Sequence, residues 1–134
     1  MKKVGLFLFA ILFAFLCFTG CSKYSAHYTA VLYAHSNDVA SASASFYKFE
    51  GTEIFKMKIE IGKTAKIQYS GKLESGSLTV YYDFGGTKTE MFSMHSGDEV
   101  NAYSDKLSTG TVYVIIETSE LCESGDLVFD IIYD

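Results

Sequence analysis

Along most of this chain, apolar and polar residues alternate one for one. Phe55, Met57, Ile59 and Ile61 are interleaved with Lys56, Lys58 and Glu60. Successive side chains of a strand point to opposite faces, so this pattern predicts a half-buried β-strand. Gly62-Lys63 follows, and Ala65, Ile67 and Tyr69 resume the alternation. That sequence predicts a hairpin with Gly62 at the first turn position, where a positive φ is needed. Leu78, Val80, Tyr82 and Phe84 share the next face; Gly85-Gly86 turns the chain, and Thr87 to Met94 returns. Val100 to Tyr103 predicts a short edge strand.

Between Thr111 and Thr118, Val112, Val114 and Ile116 face one way while Tyr113 and Ile115 face the other. A strand that is apolar on both faces belongs in the middle of a sheet. Leu127, Phe129, Ile131 and Tyr133 alternate to the C-terminus after a Ser124-Gly125-Asp126 turn signal. The least decided stretch is Ala40 to Ser45, which alternates with unusually thin side chains. It predicts a strand leading into Phe46, Tyr47 and Phe49, although alanine also favours helix. Gly51 then predicts a bulge joining that strand to the next. Turn signals near 51, 62, 71–76, 85–86, 97, 110 and 125 recur every 10–14 residues or so, the spacing of an antiparallel sandwich. The expected fold is all-β: two packed antiparallel sheets of seven to nine strands, immunoglobulin-like or jelly-roll-like. Its core is expected to contain Phe55, Met57, Ile59, Ile67, Leu78, Val80, Val114, Ile116, Phe129 and Ile131.

The first twenty-one residues follow a different rule. Lys2 and Lys3 give a basic start, Val4 to Leu16 is wholly apolar and uncharged, and Phe18-Thr19-Gly20-Cys21 closes the run. Charge preceding hydrophobicity is the order in which a secretory leader enters the translocon. With small residues ahead of Cys21, the segment resembles the leader of a bacterial lipoprotein precursor, departing from it at Phe18, where lipoproteins carry Leu. The resemblance implies a helical signal peptide over residues 1–20, cleavage between Gly20 and Cys21, and lipid (palmitate) on Cys21. It further implies a tether over 21–26 and one domain over 27–134, held on the extracytoplasmic face of the cell membrane. The alternatives are an uncleaved anchor, since Val4 to Ser22 sits at the lower edge of bilayer-spanning length, and free secretion.

Composition narrows the function. Without Lys2 and Lys3, nine lysines face sixteen acids, and the sequence has no Arg, Trp or Pro. Nucleic-acid recognition relies on basic patches and Arg forks, so nucleic acid is excluded as a partner. On that resemblance Cys17 would leave with the leader and Cys21 would take lipid, so Cys122 is expected to remain as a buried structural thiol without a disulfide partner. Charge is segregated, with a lysine-rich stretch at 48–72 and a purely acidic one at 107–134. If these pair as neighbouring strands they neutralise each other; on opposite sides they would make the surface dipolar.

From Phe49 to Ile131 the chain resembles the small β-sandwich lipoproteins of Gram-positive bacteria. The likeness rests on Phe49-Glu50-Gly51, Ile61-Gly62-Lys63, Ser75-Gly76-Ser77-Leu78 and Ser124-Gly125-Asp126-Leu127. These are turn and strand signatures, and they imply a fold and a place with no activity attached. Catalytic signals are correspondingly thin. His27, His35 and His95 are not at metal-ligand spacing, and His95, Asp98, Glu99 and Asp105 lack the ordered register of a calcium loop. The serines around Gly71 to Ser77 lack a nucleophile elbow, and Gly85-Gly86 reads as a turn rather than a phosphate loop. No catalytic residue, metal or cofactor is therefore expected. Outward tyrosines Tyr81 and Tyr113 are the candidate binding surface, since tyrosine offers a large rigid contact with a polar tip. The expected role is a non-enzymatic interaction or ligand-binding module with an envelope protein or glycan partner. A structural envelope component without a ligand, and a hydrolase-like enzyme, are the competing readings.

Overall fold

The computed structural model describes residues 24–134. The expected signal peptide, the expected cleavage between Gly20 and Cys21 and the expected lipidation of Cys21 fall on residues outside those described. Nine strands follow in order: β1 (His27–Val31), β2 (Ala34–Asn37), β3 (Ser41–Ile59), β4 (Ala65–Ser75), β5 (Ser77–Phe84), β6 (Thr87–His95), β7 (Glu99–Tyr103), β8 (Gly110–Thr118) and β9 (Cys122–Tyr133). All pairings are antiparallel, and the ladder runs β6-β5-β8-β3-β9-β4-β7, with β1 and β2 on the remaining edge of β3.

The single ladder makes two layers because β3 is shared between them. Residues 41–49 of β3 pair with β9, and residues 52–59 pair with β8. Layer one is thus β2 and the first half of β3 with β9, β4 and β7; layer two is the second half of β3 with β8, β5 and β6. The inward set of β3 changes parity at the crossing, from Ala42, Ala44 and Phe46 to Phe49, Glu53, Phe55, Met57 and Ile59. Gly51 sits inside the strand opposite Tyr28 at φ 133°, and a Cβ there would lie 2.4 Å from the His27 carbonyl oxygen. Only glycine allows β1 to cross so closely.

Aromatic rings join the layers. Tyr69 of β4 stacks on Phe92 of β6 at 4.6 Å, and Phe129 of β9 meets both Phe92 and Phe55. All ten expected core residues are buried in one cluster. β8 lies between β5 and β3, as its two apolar faces require, and β7 is an edge strand. Ser41 to Ser45 also enters a strand, with Ala40 exposed just before it: Ala42 and Ala44 face the core and the serines face out, so thin side chains serve both sides.

Two expectations need correction, and one open alternative is decided. β3 and β4 do not pair, so residues 60–64 form an arch from layer two to layer one rather than a hairpin. There Lys63 N–H donates to the Glu60 carbonyl, which puts Gly62 at the third turn position, and Ile61 is 92% exposed. Alternation records which face is buried and is blind to which strand is the neighbour. Gly71 and Gly125, read as turn signals, are instead inside β4 and β9. The space a Cβ would fill at Gly71 is taken by Leu127, and at Gly125 by the Phe46 ring. The lysine-rich and acidic stretches are neighbouring strands, with Lys72 opposite Asp126 and Lys48 opposite Glu123, so their charges intermingle. By contrast, Gly85-Gly86 closes the β5–β6 hairpin with positive φ at both residues, as expected.

Candidate functional site

The outer face of layer one is assembled from residues far apart in sequence but aligned by register. One row across β3, β9, β4 and β7 reads Ser45, Asp126, Lys72, Glu99; the next reads Ser43, Val128, Ser70, Asn101; the third reads Ser41, Asp130, Gln68, Tyr103. The middle row is thin because β3 contributes serines, β4 contributes Ser70, and Gly71 adjoins it. Thin residues flanked by longer ones make a trough. Two contiguous depressions of about 480 Å³ and 640 Å³ follow it and share Lys72, Glu99 and Asp126.

Tyr47 lines the second depression, whereas Tyr103 lies on the same face beyond Asn101 and lines neither. Tyr47 is 49% exposed and Tyr103 is 56% exposed. Three strand spacings and six residues along the strand separate them, or roughly 25 Å. Ser45 Oγ donates to Asp126 Oδ1 at 2.6 Å, and Gln68 Nε2 donates weakly to Tyr103 Oη at 3.4 Å. Among the described residues, Lys72, Glu99 and Asp126 form no ion pair within 4.0 Å, so their hydrogen-bonding capacity faces the trough.

The tyrosines expected to form the binding surface occupy the opposite face. Tyr81 and Tyr113 lie on the outside of layer two and are half-buried. Lys88 Nζ sits 4.3 Å above the Tyr81 ring, and Tyr24 packs at 5.6 Å on Tyr113. Tyr47 and Tyr103, by contrast, were not singled out by the sequence. The signal was available at Tyr103, whose odd-numbered register in β7 points away from half-buried Val100 and Ala102, but Tyr47 sits where β3 changes parity.

No family model matches this chain, and no curated protein matches it. Solved structures similar to it include a CBM4 module, at TM-score 0.39 and 13% identity, covering 81% of this chain and 78% of the other. A CBM22 xylan-binding domain from Paenibacillus barcinonensis superposes at TM-score 0.39 with 12% identity over 79% of this chain and 85% of that one. A variant of a family 29 carbohydrate-binding module gives TM-score 0.39 and 12% identity over 81% and 92%. At these values the likeness transfers neither site nor ligand.

Elsewhere, polar groups are engaged structurally. The Tyr33 hydroxyl donates to Glu53 Oε2 at 2.6 Å, and the Ile54 N–H donates to Glu53 Oε1. Burial first, then the bond to and charge of Glu53, hold the Tyr33 pKa well above the tyrosine range. The Cys122 thiol is buried and pushed up to about 11 by desolvation, while it donates to the Ser77 carbonyl at 3.4 Å. An inert thiol results. Asp98 accepts the His95 N–H, and no group of three or more metal-ligating side chains forms among the described residues.

One serine does meet a histidine. Ser77 Oγ lies 3.1 Å from His95 Nδ1 and 3.0 Å from Glu120 Oε1. Glu120 bonds the serine hydroxyl and not the imidazole, so it does not orient His95 as a triad acid would. His95 and Glu120 are exposed, and neither belongs to the trough. This is a surface hydrogen-bond cluster at the β5–β6 end.

Proposed function

We propose that the chain is a lipid-anchored extracytoplasmic lipoprotein whose sandwich is a non-catalytic binding module, with the layer-one trough as its ligand face. One observation carries this reading: the outer face of layer one gathers hydroxyl, amide, carboxylate and ammonium groups between exposed tyrosine rings about 25 Å apart. Such a span suits an extended polymer. A glycan chain combines the two chemistries on offer, since its C–H faces pack on aromatic rings while its hydroxyls pair with carboxylates and amides. Two lysines, Lys66 and Lys72, share this face with Glu74, Glu99, Asp126 and Asp130, which disfavours polyanions and favours neutral or amino-sugar glycans. Binding needs only this complementary surface, whereas catalysis needs an assembled nucleophile, base and orienter.

The test is cosedimentation of the soluble domain, residues 22–134, with wall glycan stripped of anionic polymer. The wild type should sediment, and the Tyr47→Ala, Tyr103→Ala double variant should lose at least about tenfold in affinity, as aromatic anchors do when truncated. Equal binding by both, or capture of the domain by an envelope protein alone, would overturn the glycan assignment. Ester or peptide turnover abolished by Ser77→Ala would overturn the non-catalytic one.

A further inference from the structure

The tether is pinned to the face opposite the trough. Tyr24 packs its ring on Tyr113 at 5.6 Å, and its hydroxyl donates to Asp83 Oδ2. Asp83 points outward, directly across from Tyr113 in the β5–β8 register, yet it is 3% exposed. Its other oxygen accepts the Gly86 N–H at 3.0 Å, which locks it into the β5–β6 turn. Tyr24 therefore docks on a fixed acceptor rather than lying loosely on the surface. Ile115, also outward on β8, is 1% exposed between its register partners Ile54 and Tyr81.

We infer that the outer face of layer two is the membrane-facing side of the anchored protein, apposed to anionic lipid headgroups, and that the trough consequently faces away from the bilayer. The inference rests on lipidation at Cys21. Only three residue steps separate Cys21 from Tyr24, a reach of roughly 10 Å when fully extended. The two layers pack about 10 Å apart, with further side chains on each outer surface, so a lipid tied this closely to layer two cannot reach around to layer one. Charge agrees with this placement. The outside of layer two balances Lys56, Lys58 and Lys88 against Asp83, Glu90 and Glu117, with Lys56 and Lys58 exposed and in no ion pair among the described residues, whereas the trough face carries more carboxylates than lysines. An anionic leaflet therefore repels the second surface more than the first. Tyr24 thus acts as an orienting clasp that leaves the trough open to a polymer outside the membrane.

Single cysteines placed on the two faces of the full-length, lipidated protein test this. Lys56→Cys and Asn101→Cys, each labelled with a fluorophore, are reconstituted in phosphatidylglycerol-containing vesicles that include nitroxide-labelled lipid. The buried Cys122 thiol can stay in place, because labelling under native conditions does not reach it. Fluorescence at position 56 should be quenched several-fold more than at position 101. Adding Tyr24→Ala should shrink that difference while the protein still floats with the vesicles. Equal quenching of two floating proteins, or stronger quenching at 101, overturns the orientation and leaves the anchor standing. Failure of the wild type to float overturns the anchor and the orientation with it.

Discussion

Gly125 and Phe46 form one packing unit beneath the trough, and its energetics can be worked out before measurement. β9 presents the bare backbone of Gly125 to the Phe46 ring of β3, its direct register partner. A Cβ built on Gly125 would lie 2.4 Å from Phe46 Cζ and 2.8 Å from Cε2. Ordinary contact needs about 3.5 Å, so Gly125→Ala must displace the ring by about 1 Å. Phe46 is 5% exposed and rests against Phe49 at 5.3 Å between centroids, which leaves it little room to yield. Overpacking of this kind costs about 1–3 kcal/mol. Phe46→Ala removes the ring and leaves a cavity, at about 3–5 kcal/mol. In the double variant the added methyl occupies space the ring has vacated, so the two losses should not add. A shortfall of about 1–2 kcal/mol from the sum is expected, within the range for residues in contact. Urea unfolding of residues 22–134, with m in the range of about 1–3 kcal/mol per molar, would show Gly125→Ala as a midpoint drop of about 1 M. Strict additivity of the two substitutions would refute the packing argument.

Other expectations follow from single features. The Asn37 side-chain amide completes the free edge of β3 by bonding both the N–H and the carbonyl of Lys56 at 2.9 Å, both bonds being exposed, so Asn37→Ala should lower stability by about 0.5–1.5 kcal/mol in the same unfolding assay. Tyr33→Phe removes the donor to buried Glu53 and should cost about 1–3 kcal/mol, while Tyr33→Phe with Glu53→Leu should recover part of it. The Cys122 thiol has a folded-state pKa of about 11, above its ordinary value of 9.0, so the folded protein holds that proton longer than the unfolded chain does. Its contribution is complete below pH 9 and is lost as pH rises to about 11, and Cys122→Ala should flatten stability over that window. For the anchor, Cys21→Ser should shift the protein from the membrane fraction to precursor or medium; unchanged mass and attachment would favour the uncleaved anchor.

What the sequence disclosed, and what it concealed, has a common physical cause. Alternation reports a residue's face, so the ten expected core residues and the doubly apolar β8 could be read without knowing any strand partner. Partnering was hidden for the same reason. Ile59 and Ala65 both point into the core, and that holds equally for a hairpin and for the arch that actually joins β3 to β4. Glycine was ambiguous between turn and close approach: Gly85-Gly86 is a turn, whereas Gly71 and Gly125 are seats for Leu127 and Phe46. The trough itself could not be found by reading along the chain. Ser43, Val128, Ser70 and Asn101 are neighbours only through register across four strands. The Ala40–Ser45 alternation was its one local trace, and it was legible as a strand without being legible as the floor of a site. Tyr81 and Tyr113 were correctly placed outward, but Tyr24, which covers Tyr113, lies in a stretch that carries no pattern of its own.

The claim that layer one carries the ligand is tested most directly by amide chemical-shift mapping. Isotope-labelled residues 22–134 would be titrated with soluble fragments of neutral wall glycan. The account predicts saturable shifts concentrated at Ser43, Ser70, Asn101, Asp126 and Val128, with Tyr81, Tyr113 and Lys88 unmoved. Shifts centred on the Tyr81–Tyr113 face, or none in the trough at saturating glycan, would contradict it.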